Sequence, residues 1–197
     1  MRQYPLSCRY QPTRCFTPSQ RTSKTSLKHK WRGGPYGNFY ELVVKSGYDH
    51  HKAIPDDVLK RILCAGRVAP SAKNLQPWRI HLVQSPEMLQ KIYPCSSRDW
   101  IQSAPCLMIV SGNRNEPWIR SKDGYNFVET DLTIVMDHLI LAVTFEGLGT
   151  CWIAAFDPNI LHEALQLKPG EEVFALTPLG FAHRDAVNAP KRRKSLD

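Results

Sequence analysis

The residues best suited to chemistry lie in one stretch, Ala69-Pro70-Ser71-Ala72-Lys73-Asn74-Leu75-Gln76-Pro77-Trp78. Ser71, Asn74 and Gln76 bring a hydroxyl and two amides close together. Pro70 and Pro77 restrict the backbone at either end. Such a stretch is too rigid for a spacer and too polar for a core. Its chemistry is hydrogen bonding, and the expectation is that it wraps a bound cofactor. Ordinary catalytic signatures are absent: there is no G-x-S-x-G elbow, H-E-x-x-H, Walker loop or G-x-G-x-x-G. The acid pairs Asp56/Asp57 and Glu171/Glu172 sit where elements begin, and solvation or the helix dipole accounts for them. His50 and His51 are adjacent and cannot both face one point from a regular element, so they read as solvated loop residues. An enzyme built from this sequence needs a cofactor to carry its chemistry.

The flanking patterns say what positions that stretch. Pro55-Asp56-Asp57 opens a helix with Val58, Leu59, Ile62, Leu63 and Val68 at helical spacing. It ends at Pro70. Residues 79–84 alternate as a half-buried strand, with His81 on the polar side. Ser85-Pro86 caps a short helix to about Ile92, and residues 99–103 read as helical. Residues 106–111 form a buried strand, followed by a loop to Gly124. The longest helix runs over 126–147, so apolar around its girth that it must be buried on more than one side. Gly147 and Gly149 are expected to end it in the left-handed conformation. An extended segment (150–155), an Asp157-capped helix to about Leu167 and a strand over 172–182 complete the pattern. The short segment 38–46 reads as an amphipathic helix.

Eight of the 26 lysines and arginines lie in the first forty residues, which hold no acid, so the other 18 face 18 acids. The body is thus neutral despite a net charge of +8, and a basic groove for nucleic acid is not expected. No apolar run reaches the ~20 residues of a membrane span. The basic, Ser/Thr-rich segment 1–35 is expected to be disordered, and both a transit peptide and a mis-assigned start fit its composition. Residues 36–197 form the expected domain. Cys8, Cys15, Cys64, Cys95, Cys106 and Cys151 form no CxxC or zinc spacing and read as reduced thiols of a cytoplasmic protein.

Three stretches carry a resemblance: residues 69–78, Gly147-Leu-Gly-Thr-Cys-Trp-Ile-Ala-Ala-Phe-Asp157, and Pro190-Lys-Arg-Arg-Lys194. Together they resemble the nitroreductase family of flavin-dependent oxidoreductases. The resemblance implies an α+β fold with a mostly antiparallel sheet between helices. It also implies a homodimer with one FMN at each of two interface sites. By resemblance, Ser71 and Asn74 hydrogen-bond the flavin and its ribityl chain, and Pro70, Ser71 and Ala72 line one edge of the ring. Gln76 and Trp78 brace the turn. The backbone of Trp152, Ile153, Ala154 and Ala155 faces the ring, with an amide N–H near flavin N5. Lys191 and Arg193 match the basic pair that grips the phosphate. The resemblance implies hydride transfer from NAD(P)H through flavin N5 to a small acceptor such as a nitroaromatic or quinone, with ping-pong kinetics and no catalytic side chain.

One departure weakens the match. The family's Arg-x-Ser-x-Arg has as its counterpart Val44-Lys45-Ser46-Gly47-Tyr48. Lys45 and Ser46 stand in for Arg-Ser, but Tyr48 replaces the second arginine. Losing one or two charge-assisted bonds lowers FMN affinity by about ten- to ten-thousand-fold. A nitroreductase-fold dimer with weak or no FMN binding is therefore the alternative reading.

Overall fold

The strand Cys106–Asn113 forms because a run of apolar residues has both faces covered, and it organises the sheet around it. The structure is a computed structural model that describes residues 47–183 and 194–195. Segment 1–35, the helix expected over 38–46, and Lys45, Ser46, Lys191 and Arg193 lie outside the described residues. The strands are β1 (Trp78–Val83), β2 (Cys106–Asn113), β3 (Gly149–Thr150) and β4 (Glu171–Gly180). They form one antiparallel sheet in the order β1-β2-β4-β3.

The helices are α1 (Asp56–Arg67), α2 (Pro86–Ile92), α3 (Val128–Phe145) and α4 (Pro158–Leu165). Side chains of α1 and α3 pack with Cys106, Met108 and Val110. Those of α2 and α4 pack with Leu107 and Ile109, so the sheet lies between two helical layers. This is the expected α+β architecture. The caps follow the sequence: the Ser85 hydroxyl accepts from Met88 N–H, and the Asp157 carboxylate accepts from Asn159 N–H. A Cβ on Gly66 of α1 would lie 2.6 Å from Leu139 Cδ2 of α3, so the missing side chain lets these helices approach closely. Among the described residues, no helix is long and apolar enough to cross a membrane.

Three sequence expectations need correction. Gly147 is left-handed at φ 76°, but Gly149 is not; it belongs to β3. The extended segment 150–155 is not a continuous strand. After Thr150 the Cys151 N–H donates to the Thr177 hydroxyl instead of a backbone carbonyl, and Ile153 rejoins the sheet by a single bridge to Leu176. His81 does not face solvent. It is 8% exposed, and its Nε2 lies 2.8 Å from the Ser111 hydroxyl of β2. Alternation suggested a polar face, but the layer containing α2 and α4 covers that side of the sheet.

Burial holds the His81 imidazole below its usual value, Glu171 opposes this, and Arg79 adds to it. The unfolded chain therefore takes up a proton near pH ~6.5 that the folded chain refuses. The associated stability is complete above that pH and is lost as pH falls toward the folded value. Denaturant titrations at about pH 8 and about pH 5.5 should show this loss. His81→Gln should lose less stability across the same interval.

Candidate cofactor-binding site

The turn between α1 and β1 is fixed at both ends by buried residues. Ala69 is buried and its N–H donates to Gly66 O (3.2 Å); Trp78, where the chain enters β1, is 1% exposed. Between them, Asn74 N–H donates to Ser71 O (2.9 Å) and Leu75 N–H to Ala72 O (3.2 Å), closing one tight helical turn. Lys73 (φ 51°), Asn74 (φ 55°) and Gln76 (φ 51°) are all left-handed without being glycine. Asparagine tolerates this region, whereas each of the other two costs on the order of 1 kcal/mol or more. Hydrogen bonds within the turn offset that strain. The Ser71 hydroxyl accepts from Gln76 N–H (2.9 Å), and Gln76 Nε2 donates to Asn74 Oδ1 (3.1 Å). A further bond crosses to α3: Ala72 N–H donates to Asp131 Oδ1 at 2.9 Å.

Two side-chain donors of the expected ligands Ser71 and Asn74 remain after this accounting. The Ser71 hydroxyl is used as an acceptor, which leaves its hydrogen, and Asn74 Nδ2 has no partner among the described residues. Pro70 and Asn74 are exposed, and Ser71 and Ala72 are half-buried. This donor set fits a planar group rich in carbonyl oxygens and ring nitrogens, such as the flavin of FMN. Gln76 braces the turn, as expected.

The second expected stretch is also partly committed to the fold. Ile153 is 1% exposed, its N–H donates to Leu176 O (2.9 Å), and its carbonyl accepts from Leu176 N–H (3.1 Å). Trp152, Ala154 and Ala155 are exposed. The N–H groups of Trp152, Ala154 and Ala155 have no partner among the described residues, so they are available backbone donors. A register shift between Val110 and Ser111 leaves Phe174 as the extra residue of β4. Its ring meets Trp152 edge-on at 5.8 Å and fixes the indole.

The two stretches join the sheet on opposite sides. The turn leads into β1 at one edge of the sheet, and Ile153 bridges to β4 at the other side. Three strand spacings and a three-residue offset separate Trp78 from Ile153 by roughly 15–20 Å.

Tyr48, at the position of the missing arginine, is 2% exposed and packs among core residues, its ring 6.5 Å from that of Trp100. Its N–H donates to the Ser103 hydroxyl (2.9 Å). An arginine introduced here would enter this core, so Tyr48→Arg is not a route to restoring a phosphate site.

Sequence reasoning missed Asp131. Its signal was a lone acid at core spacing, between Val128 and Val135 on an otherwise apolar stripe. It is 1% exposed, and Oδ2 has no partner among the described residues. Burial raises its carboxyl above the usual range, and the bond from Ala72 N–H acts against this.

Comparison with known proteins agrees with this architecture. The family model described as the nitroreductase family matches residues 44–107 and 92–181. The solved structure of a nitroreductase family protein from Clostridium novyi NT is 32% identical. It aligns over 74% of this chain and 86% of that one, with a TM-score of 0.64. A protein named NADH dehydrogenase from Thermus thermophilus is 25% identical over 174 residues, or 73% of this chain and 84% of its own. An FMN-dependent nitroreductase from Clostridium difficile R20291 shares the fold at 20% identity and a TM-score of 0.63, over 77% of this chain and 91% of that one. With its sheet order, its helical layers and a family match spanning most of its length, the chain belongs to the nitroreductase family.

Proposed function

We propose that this chain is an FMN-dependent oxidoreductase that passes reducing equivalents from NAD(P)H to a small acceptor such as a nitroaromatic or quinone, by ping-pong kinetics. The observation that carries this reading is the strained 71–76 turn, whose internal bonding leaves the Ser71 hydroxyl hydrogen and Asn74 Nδ2 as spare donors. When bound, FMN supplies the hydride chemistry at its N5.

The chain's own residues bind and orient. Ser71 and Asn74 donate to flavin and ribityl acceptors, and Pro70 and Ala72 flank the ring. The Ala154 and Ala155 N–H groups provide fixed dipoles where electron density arrives. Their small side chains would leave room for the second substrate beside the cofactor, and Trp152 is exposed next to them. Lys45, Ser46, Lys191 and Arg193 hold the phosphate by charge-assisted hydrogen bonds. No side chain is assigned a proton-transfer role.

Each site in this reading takes one stretch from each of two chains. The placement of the stretches toward opposite edges of the sheet supports that, and so does the exposure of Val68, Leu75 and Phe145, apolar residues that a partner would cover. Residues 36–197 form the FMN-binding domain.

A second reading, a family dimer that holds FMN weakly or not at all, is favoured by the burial of Tyr48 where the phosphate-binding arginine is missing. The visible spectrum separates the two. Purified protein mixed with FMN and desalted should retain a flavin absorbance that NADH or NADPH bleaches under anaerobic conditions. A colourless protein after excess FMN would establish the second reading.

Asn74→Gly should weaken FMN binding about two- to tenfold, the equivalent of one net hydrogen bond. Glycine keeps the left-handed backbone, so the melting temperature should not fall by more than a few degrees. Unchanged affinity in a fluorescence titration would remove Asn74 from the site.

A further inference from the structure

We propose that Asp131 is a positioning residue: its carboxylate holds the Ser71–Gln76 turn in the shape that binds flavin. The link to flavin rests on the FMN reading above; the tether to the turn does not.

Among the described residues, Asp131 accepts the long-range hydrogen bond of this turn. The Ser71–Asn74, Ala72–Leu75, Ser71–Gln76 and Asn74–Gln76 bonds all run within the turn and would move with it as a unit. The bond from Ala72 N–H to Asp131 Oδ1 spans 59 residues and ties the turn to α3. A second contact outward among the described residues, Lys73 Nζ 6.0 Å from the Trp118 ring, joins two side chains and does not restrain the backbone. Three left-handed non-glycine residues follow Ala72, so a turn released there can relax its strain by leaving this conformation.

The chemistry of the position supports a dedicated role. Asp131 is 1% exposed on the side of α3 that carries Val128, Leu132 and Val135. A leucine, with the same branching, would serve packing alone, without burying an oxygen that lacks a partner. What the carboxylate adds is a strong acceptor for one N–H, set in the first turns of the helix, where the dipole favours negative charge. The bond consumes the Ala72 N–H, so this amide is not itself a ligand donor. It fixes the backbone between the two groups that are, the Ser71 hydroxyl and Asn74 Nδ2.

The test compares Asp131→Leu, which keeps bulk but removes the acceptor, with Asp131→Asn, which keeps an acceptor oxygen. Asp131→Ala replaces the leucine variant if that fails to fold, as judged by its melting curve. Hydrogen exchange of the flavin-free protein reads the turn directly, and FMN fluorescence titration reads its consequence. Asp131→Leu should speed exchange in peptides covering 69–78 about tenfold or more, leave β2 peptides unchanged, and weaken FMN binding about ten- to hundredfold. Asp131→Asn should restore both to near wild type. Wild-type exchange across 69–78 in the leucine or alanine variant would overturn the proposal, as would failure of asparagine to rescue. If the wild type binds no FMN, the cofactor reading fails, and the exchange comparison still decides whether Asp131 holds the turn.

Discussion

The double pairing of β2, with β1 on one side and β4 on the other, is the constraint on which the remaining elements depend. Every residue from Cys106 to Gly112 is buried, so every backbone N–H and carbonyl there must be paired within the protein. The β1 and β4 ladders do this, the second bulged at Val110 and Ser111, and alternate side chains feed the two helical layers. The strand also sets the geometry of the candidate site. A Cβ on Gly112 would lie 2.9 Å from both Pro77 O and Leu132 Cδ1. Glycine therefore lets the end of the turn and the start of α3 converge on one point of β2. That convergence brings Ala72 within hydrogen-bonding distance of Asp131.

Local patterns made much of this legible in the sequence. The α1 and α3 periodicities, the Ser85 and Asp157 caps and the apolar run of β2 each have a cause within a few residues of the feature itself. The polar turn was legible for the same reason, since Ser71, Asn74 and Gln76 bond to one another. What could not be read depends on distant partners. The alternation of β1 placed His81 on a polar face because nothing in residues 78–83 reports that α2 and α4 cover it. Asp131 was passed over because its partner lies 59 residues away. The separation of the two resembling stretches was equally hidden, because chain order does not give strand order.

The strain of the turn and its isolation on the surface belong together. An exposed loop normally relaxes toward favourable backbone angles, yet Lys73 and Gln76 do not. The cause is a circuit of short-range bonds tied to α3 by the Ala72–Asp131 bond and set between two anchors, Ala69 and Trp78, both almost wholly buried. Such a turn is set before any ligand arrives, which reduces the ordering a ligand must impose.

The opposite side of the sheet uses a different device to expose backbone. A regular edge strand presents a row of unpaired groups that invites further strands. Here β3 stops after two residues because the Thr177 hydroxyl takes the Cys151 N–H, and the Thr150 and Thr177 hydroxyls bond to each other. The single bridge at Ile153 then holds the departing chain against Leu176. Among the described residues the edge is therefore short and irregular, and the Ala154 and Ala155 N–H groups remain in solvent. Water satisfies them at little cost until a ligand covers them. A ligand that does so must bring acceptors of its own, and this selects for an acceptor-rich planar group over a purely apolar one.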